Sequence, residues 1–97
     1  MKVSEISIQV LKEYCRVEDN SEDMLFTALL GAAKQFIKTQ TGLDDAGIEE
    51  KEDLAVAVLI IGAEMYENRA YTMATNRTVN INPAAEAIIN QYRMNLL

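Results

Sequence analysis

The side chains that could do chemistry are few in this sequence, and their spacing gives them no common site. Histidine is absent, which removes the most common general base and the most common metal ligand. The one cysteine, Cys15, has no histidine to activate it and lies in an apolar-rich segment, so we expect a buried structural thiol. Glu64 and Glu67 could pair as acid and base, but nothing polar converges on them, and a solvated helix face accounts for both.

The acidic segment at residues 18–23 has the composition of a calcium loop but not its spacing. If the loop began at Asp19, Met24 would stand where an EF-hand requires glycine, and Leu30 where it requires a bidentate carboxylate. The GxxxxGK[ST] and GxGxxG phosphate-binding motifs are missing as well. We therefore predict a non-enzyme with no cofactor and no metal site, and we interpret the acidic residues as helix-capping groups on a solvated surface.

Length and charge indicate a single folded domain, residues 1–97, with an acidic first half. The formal net charge is −6, and residues 1–53 carry twelve acidic side chains against six basic ones. A free duplex-DNA reader normally has a basic face, so this balance argues against one, although not against a protein that DNA slides past. We expect no secretory signal and no membrane span, because the apolar run at residues 54–63 is about half the length that a bilayer requires.

Capping residues and helical spacing predict two helices in the first half of the chain. Ser7 would cap a short helix from Ile8 to about Cys15. Asn20 or Ser21 would cap a second helix, which Gly42 would end in a left-handed turn. The apolar positions that we assign to the two buried faces are Val10, Tyr14 and Val17, and then Leu25, Leu29, Ala32, Ala33, Phe36 and Ile37.

The second half predicts a long central helix and a shorter final one. Residues 43–51 are polar and are predicted as a loop, after which a helix should run from about Glu52 to Tyr71. Its start is apolar on every side, so it must be covered on every side, by the other helices or by a neighbouring subunit. After a loop at 72–82, Asn82 and Pro83 predict a fourth helix to about Arg93. On this helix we place Ala84, Ala87, Ile88 and Gln91 near one face, beside Ile89 and Tyr92. The predicted fold class is all-α, a small bundle of about four helices.

Four stretches of the chain, in this order, resemble the sequence pattern of one protein family. They are ISIQVLKEYCRVE (6–18), EDMLFTALLGAAKQFIKTQTG (22–42), EDLAVAVLIIGAEMYENRA (52–70) and INPAAEAIINQYR (81–93). Together they resemble the head–tail connector proteins of tailed phages and prophages, the adaptor family associated with DNA packaging. The chain departs from that pattern at Cys15, where an aliphatic residue is usual, and at residues 43–51, which lack the proline often found before the third helix.

The resemblance implies a structural virion protein that assembles as a ring below the portal, extends the DNA channel and docks head-completion or tail proteins. The implied partners are the portal protein, the next head-completion or tail protein and further copies of the chain. DNA would be passing cargo only, with no sequence-specific nucleic acid and no membrane as partner. The implied location is the host cytoplasm during assembly and then the head–tail junction of the virion.

The resemblance also suggests which residues meet between subunits. Tyr and Arg are favoured at interfaces, so Tyr66, Asn68 and Arg69 would anchor either the helix end or a subunit contact. Alternatively, Tyr66 packs in the core and Arg69 pairs with a local carboxylate, and the sequence leaves both open. The full candidate set is Val56, Ile60, Tyr66, Asn68, Arg69, Tyr92 and Arg93.

The main alternative is a small helical regulator, either an antitoxin or a helix-turn-helix DNA-binding module. Only a short loop separates the first two helices, as that motif requires. The second helix, however, carries just Lys34 and Lys38 as basic residues, both towards its far end. An acidic enzyme fragment is a second alternative. Salt-sensitive DNA affinity would favour the regulator, and turnover or tight metal binding would favour the enzyme.

Overall fold

In the part of the chain that the structure describes, four α-helices and one 3-10 turn surround a single central helix. The structure is a computed structural model that describes residues 1–68 and 82–93. Its elements are a 3-10 turn (Val3–Glu5), α1 (Ile8–Cys15), α2 (Asp23–Thr41), α3 (Asp45–Glu49), α4 (Glu52–Glu67) and α5 (Pro83–Asn90). Helix α4 contacts every other element and packs most extensively against α2. Because every regular element in these residues is helical, the predicted all-α class is confirmed.

Helix α1 has the predicted bounds but not the predicted face. The Ser7 hydroxyl accepts a hydrogen bond from the Val10 amide at 3.3 Å, and so caps the helix as predicted. Arg16 ends it in a left-handed conformation, with φ 61°. The prediction that Tyr14 lies on the buried face is wrong, since that side chain is 50% exposed. The buried residues of α1 are Leu11 and Lys12, and Ile8 and Cys15 are partly buried beside them.

Helix α2 ends as predicted and begins differently. Gly42 adopts φ 73° and its amide bonds the Lys38 carbonyl, so the left-handed end is confirmed. The predicted caps are wrong, because Glu22 is the N-cap residue and makes no side-chain capping bond. The fully buried residues are Phe26, Leu30, Ala33, Ile37 and Thr41. The predicted face was rotated by a fraction of a turn, since Leu25, Leu29 and Phe36 are partly buried and Ala32 is exposed.

The predicted loop at 43–51 contains a short helix, α3, so this prediction is wrong. The Asp44 side chain caps α3 by accepting a hydrogen bond from the Gly47 amide at 2.8 Å. Ile48 is 4% exposed and belongs to the main core. A cap and an apolar anchor thus accompany helix formation in a segment that composition alone indicated to be a loop.

Helix α4 ends at Glu67, earlier than the predicted Tyr71. Asn68 follows as the C-cap residue and its amide bonds the Glu64 carbonyl at 3.0 Å. Within the helix, Gly62 allows α1 to approach, since a Cβ atom there would lie 3.1 Å from Leu11 Cδ1. Any larger residue at position 62 would therefore require the Leu11 side chain to shift by a few tenths of an ångström.

Helix α5 begins as predicted, with the Asn82 side chain accepting from the Ala84 amide at 2.8 Å. It ends at Asn90, short of the predicted Arg93. Ala85 and Ile89 are fully buried, and Ile88 and Tyr92 partly so, whereas Ala84, Ala87 and Gln91 are exposed. The predicted face is therefore wrong, because the residues that pack follow the spacing 85, 88, 89 and 92. The loop predicted at 72–82 lies outside the described residues, apart from Asn82.

Candidate assembly interface

The predicted interface residues occupy three separate places in the fold. Val56 and Ile60 lie on one side of α4, Tyr66 and Asn68 lie at its C-terminal end, and Tyr92 and Arg93 follow α5. Because Tyr92 bonds Asp53 in the first turn of α4, these last two lie near the opposite end of that helix. Arg69 is outside the described residues. The six candidates that the structure describes therefore do not form a single patch.

Among the described residues, one side of α4 is only partly covered. Val56 is 49% exposed, although it belongs to the central helix of the fold. Leu59 and Ile60 are partly buried, whereas Leu54 and Val58 are fully buried. We refer to Val56 and Ile60 as the outer stripe of α4. An exposed valine next to a partly exposed isoleucine on a central helix is a surface that a partner can cover.

Tyr66 joins the end of α4 to the start of α2 within one subunit. Its hydroxyl donates a hydrogen bond to Glu22 Oε1 at 2.7 Å. Its ring stacks on Phe26, with centroids 4.6 Å apart and planes inclined by 30°. Of the two roles predicted for Tyr66, packing inside the subunit is the one for which the structure supplies contacts.

Asn68 and Glu64 link α4 to α5. The Asn68 side-chain amide donates to the Glu64 carbonyl at 2.9 Å and to Glu64 Oε2 at 3.2 Å. The Asn82 side-chain amide donates to Glu64 Oε1 at 3.2 Å. Glu64 thus accepts hydrogen bonds from Asn68 and Asn82, the residues at the two ends of the segment between α4 and α5. Its side chain is only partly exposed. The sequence interpretation of Glu64 as a solvated surface residue missed this role.

Tyr92 and Arg93, which follow α5, connect the end of this helix to α4 and α2 through hydrogen bonds. The Tyr92 hydroxyl donates to Asp53 Oδ1 at 2.7 Å, and this bond, with partial burial, raises the pKa of Tyr92 because it stabilises the protonated phenol. Lys51 Nζ lies 5.8 Å from the centre of the Tyr92 ring. Arg93 Nη2 donates to Gln40 Oε1 at 2.7 Å and so reaches α2.

A buried ion pair organises the acidic segment, which corrects its interpretation as solvated helix caps. Lys12 is 2% exposed, and its ammonium donates to Asn20 Oδ1 at 2.8 Å and to Asp23 Oδ1 at 2.7 Å. A buried ammonium is destabilising unless it is paired and hydrogen-bonded, and both conditions are met here. Asp19 accepts hydrogen bonds from the Ser21 hydroxyl and amide, which lower the pKa of Asp19. The sequence signal was available, since Lys12 is one residue from Leu11 and four from Ile8 on the buried side of α1.

Several of the carboxylates considered for chemistry make structural contacts, among them Asp19, Asp23 and Glu64. Among residues 1–68 and 82–93, no cluster of three or more His, Cys, Asp or Glu side chains could hold a metal ion. A cleft of about 210 Å³ lies between the 3-10 turn, α2 and α3. At its mouth Lys38 pairs with Asp45 at 3.0 Å, and Glu49 accepts from the Ser4 amide at 3.0 Å.

Cys15 is partly buried rather than fully buried as predicted. Burial and the charge of Glu67 raise the pKa of the Cys15 thiol, which favours the protonated, unreactive form. In the part of the chain that the structure describes, no helix has the length and apolar character needed to cross a bilayer.

Comparison with known proteins identifies the family. Residues 5–93 match the family described as phage gp6-like head-tail connector proteins. The fold is similar to the crystal structure of bacteriophage HK97 gp6, with a TM-score of 0.75 and 23% sequence identity, covering 95% of this chain and 96% of that one. No curated protein sequence matches the chain significantly. Since the family match extends over nearly the whole chain, the chain belongs to the phage gp6-like head-tail connector proteins.

Proposed function

We propose that this connector assembles as a ring below the portal, extends the DNA channel and docks the next head-completion or tail protein. Family membership supplies the coarser part of this function, a structural phage component at the head–tail junction. The ring, the portal contact and the extension of the DNA channel are the more detailed part of the proposal. The proposed partners are further copies of the chain, the portal protein and the next head-completion or tail protein.

The observation that carries the ring proposal is the outer stripe of α4. Helix α4 is the most deeply enclosed helix of the fold, yet Val56 on it is half exposed. A contact between copies that covers this stripe would remove apolar surface from water, which favours association. Val56 and Ile60 are therefore the candidate residues that we retain for the ring contact. Tyr66, Asn68, Tyr92 and Arg93 would act indirectly, because their described contacts hold the ends of α4 and α5 in place.

We further propose that DNA is passing cargo and that the protein has no catalytic role. The net charge of −6 disfavours attraction of phosphate, so DNA would slide past the ring instead of binding to it. Residues 24–33 of α2 carry no charged side chain, so this stretch offers no cationic group for phosphates in a helix-turn-helix mode. The protein would assemble in the host cytoplasm and remain in the virion at the head–tail junction.

The test is a phage from which the gene has been removed. We expect procapsids that package DNA but fail to retain it or to attach tails, and we expect the gene supplied in trans to restore infectivity. The matched variant is Val56→Asp, which should fold, as judged by circular dichroism, and yet fail to complement. Normal yields of tailed, infectious particles without the gene would contradict the proposed function.

A further inference from the structure

The side of α2 that faces away from α4 is exposed and uncharged. Met24 is 89% exposed, and Ala28, Gly31 and Ala32 are exposed on the same side. We call these four residues the outer face of α2. The stretch 24–33 contains no charged residue, although 24 of the 97 residues of the chain are charged. The solvent side of a helix normally carries charged and polar residues, so this composition is unusual for a surface that stays in water.

Gly31 has no packing role among the described residues. A Cβ atom built there would meet nothing within 4 Å, in contrast to Gly62, whose Cβ position is filled by Leu11. Glycine in a helix interior is destabilising relative to alanine, so Gly31 weakens α2 without any gain inside the subunit. A surface made of Gly31, Ala28 and Ala32 leaves a shallow depression into which another helix can pack closely.

The outer face of α2 and the outer stripe of α4 lie on opposite sides of the bundle. Helices α2 and α4 pack against each other through residues of one core cluster, among them Phe26, Leu30, Leu54 and Ile61. Successive residues of a helix are about 100° apart, which places Ala28 roughly opposite Phe26, and Val56 roughly 140° from Ile61. The exposed sides of the two helices therefore face away from each other. A head-to-tail ring requires two different surfaces on each copy, one of which meets the other surface of the next copy, and two surfaces that face apart are compatible with such a contact.

The charges beside the two surfaces are complementary. Helix α4 contains acidic residues at both ends, Glu52 and Asp53 at the start and Glu64 and Glu67 at the finish, and no basic residue. After Asp23 the charged residues of α2 are Lys34 and Lys38. Lys38 already pairs with Asp45 in its own subunit, so the complementarity is one of net charge. An α4 stripe placed on the α2 face of a second copy would bring opposite net charges together, whereas α4 against α4 would bring like charges together.

From these observations we infer that the outer face of α2 receives the outer stripe of α4 from the neighbouring copy. The inference rests on the proposed ring and names the two surfaces that form it. Val56 would be the projecting side chain, and Ala28, Gly31 and Ala32 would form the depression that accepts it. Met24 would border the contact.

Disulfide crosslinking between two single-cysteine variants tests the pairing directly. In a Cys15→Ser background, one variant carries Ala28→Cys and the other carries Val56→Cys, so that no disulfide can form within a chain. We expect a covalent dimer when the two variants are mixed under mild oxidation, and far less dimer from either variant alone. A matched control is Ala46→Cys, on the exposed side of α3, mixed with Val56→Cys. The mixtures are examined at high protein concentration and again on the portal complex.

A second experiment introduces a charged residue into the outer face of α2 and measures association. Ala28→Glu should leave the thermal unfolding midpoint within a few degrees of the parent and reduce association at least tenfold by sedimentation, whereas Ala46→Glu should leave association unchanged. Gly31→Ala should raise the unfolding midpoint, because the glycine is replaced where space is open.

The outcomes separate this inference from the proposed function. An oligomer that forms without the mixed crosslink, or a dimer from Ala28→Cys alone, overturns the pairing of α2 with α4 and leaves the ring standing. No oligomer at any concentration, with or without the portal, overturns the ring itself and this inference with it.

Discussion

Lys12 shows how one buried charge can stabilise a segment whose composition is that of a solvated loop. Its buried ammonium donates to Asn20 and to Asp23, and it links α1 to the start of α2. The cost of losing a buried pair depends on which partner is removed, because removing the counter-ion leaves an unpaired buried ammonium. Replacing the lysine by an apolar residue of similar length removes its interaction with Asp23, but it also removes the free-energy cost of burying the charge.

The two sides of this pair should therefore respond differently to substitution. We expect Asp23→Ala to lower the free energy of unfolding by about 2 kcal/mol, less than for a fully enclosed pair because Asp23 is partly exposed. We expect Lys12→Met to change it by less than about 1 kcal/mol in either direction. Asp45→Ala is the control, since its pair with Lys38 is exposed and should contribute less than about 0.5 kcal/mol. Urea unfolding measures all three, and equal losses for Asp23→Ala and Asp45→Ala would contradict this account.

Glu49 should make stability depend on pH on the acid side. The Ser4 hydroxyl and amide both donate to this carboxylate and hold the pKa of Glu49 below its ordinary value of 4.5. The folded state favours the ionised form, so the contribution is fully present above pH 4.5 and is lost as the pH falls through the lowered pKa. We expect Ser4→Ala to move the pKa of Glu49, measured by NMR titration, back towards the ordinary value. An unchanged pKa in that variant would show that the Ser4 side chain is not a significant cause.

At the scale of the elements, the start of α5 depends on its cap. Asn82 accepts from the Ala84 amide and also donates to Glu64, so it stabilises the helix and ties it to α4. We expect Asn82→Ala to lower the free energy of unfolding by about 1 kcal/mol, a typical value for the loss of a cap. Asn90→Ala, at the exposed last residue of the same helix, is the control and should have little effect. A cap variant as stable as the parent in urea would contradict the capping role.

Helix α4 makes an equally specific prediction, because its outer stripe is exposed whereas its other sides are enclosed. Val56→Asp should abolish association while the chain keeps its helical circular dichroism and a cooperative unfolding transition. Val58→Asp is the matched comparison, since Val58 is fully buried and a carboxylate there should unfold the protein. If Val56→Asp unfolds the chain just as Val58→Asp does, the stripe is internal and the interface proposal is wrong.

The sequence predicted the positions of the helices better than it predicted which face of each helix is buried. Ser7, Gly42 and Asn82 act through bonds to their own backbone neighbourhood, so their roles could be inferred from local sequence. The buried face of α2 could not, because two adjacent apolar stripes fit the same helical spacing, and only the position of α4 decides between them. Helix α3 was missed because one apolar residue, Ile48, gives no periodicity.

For the candidate interface residues too, the local sequence indicated some features, whereas contacts between residues far apart in the chain could not be predicted. The sequence showed that the start of α4 is apolar on every side and left open whether the other helices or a neighbouring subunit cover it, so the exposure of Val56 is a result of the structure. The partners of Tyr66 and Tyr92 could not be predicted, since Glu22 and Asp53 lie 44 and 39 residues away along the chain. Contacts of that sequence separation are set by how the helices pack, and no local pattern encodes them.

At the scale of the whole molecule, the bundle combines an acidic charge with an exposed apolar stripe and an uncharged helix face. The net charge of −6 should keep the protein from binding free duplex DNA tightly. We expect no complex at physiological salt in a fluorescence anisotropy titration with micromolar protein. Tight, sequence-selective binding would instead support the helical-regulator alternative.

The central claim is that copies of this chain form a ring on the portal, and electron microscopy of the protein mixed with its own portal protein tests it most directly. The account predicts additional ring-shaped density, coaxial with the portal and continuing its channel, which is present with the parent protein and absent with Val56→Asp. Portal particles that gain no density from the folded parent protein would contradict it.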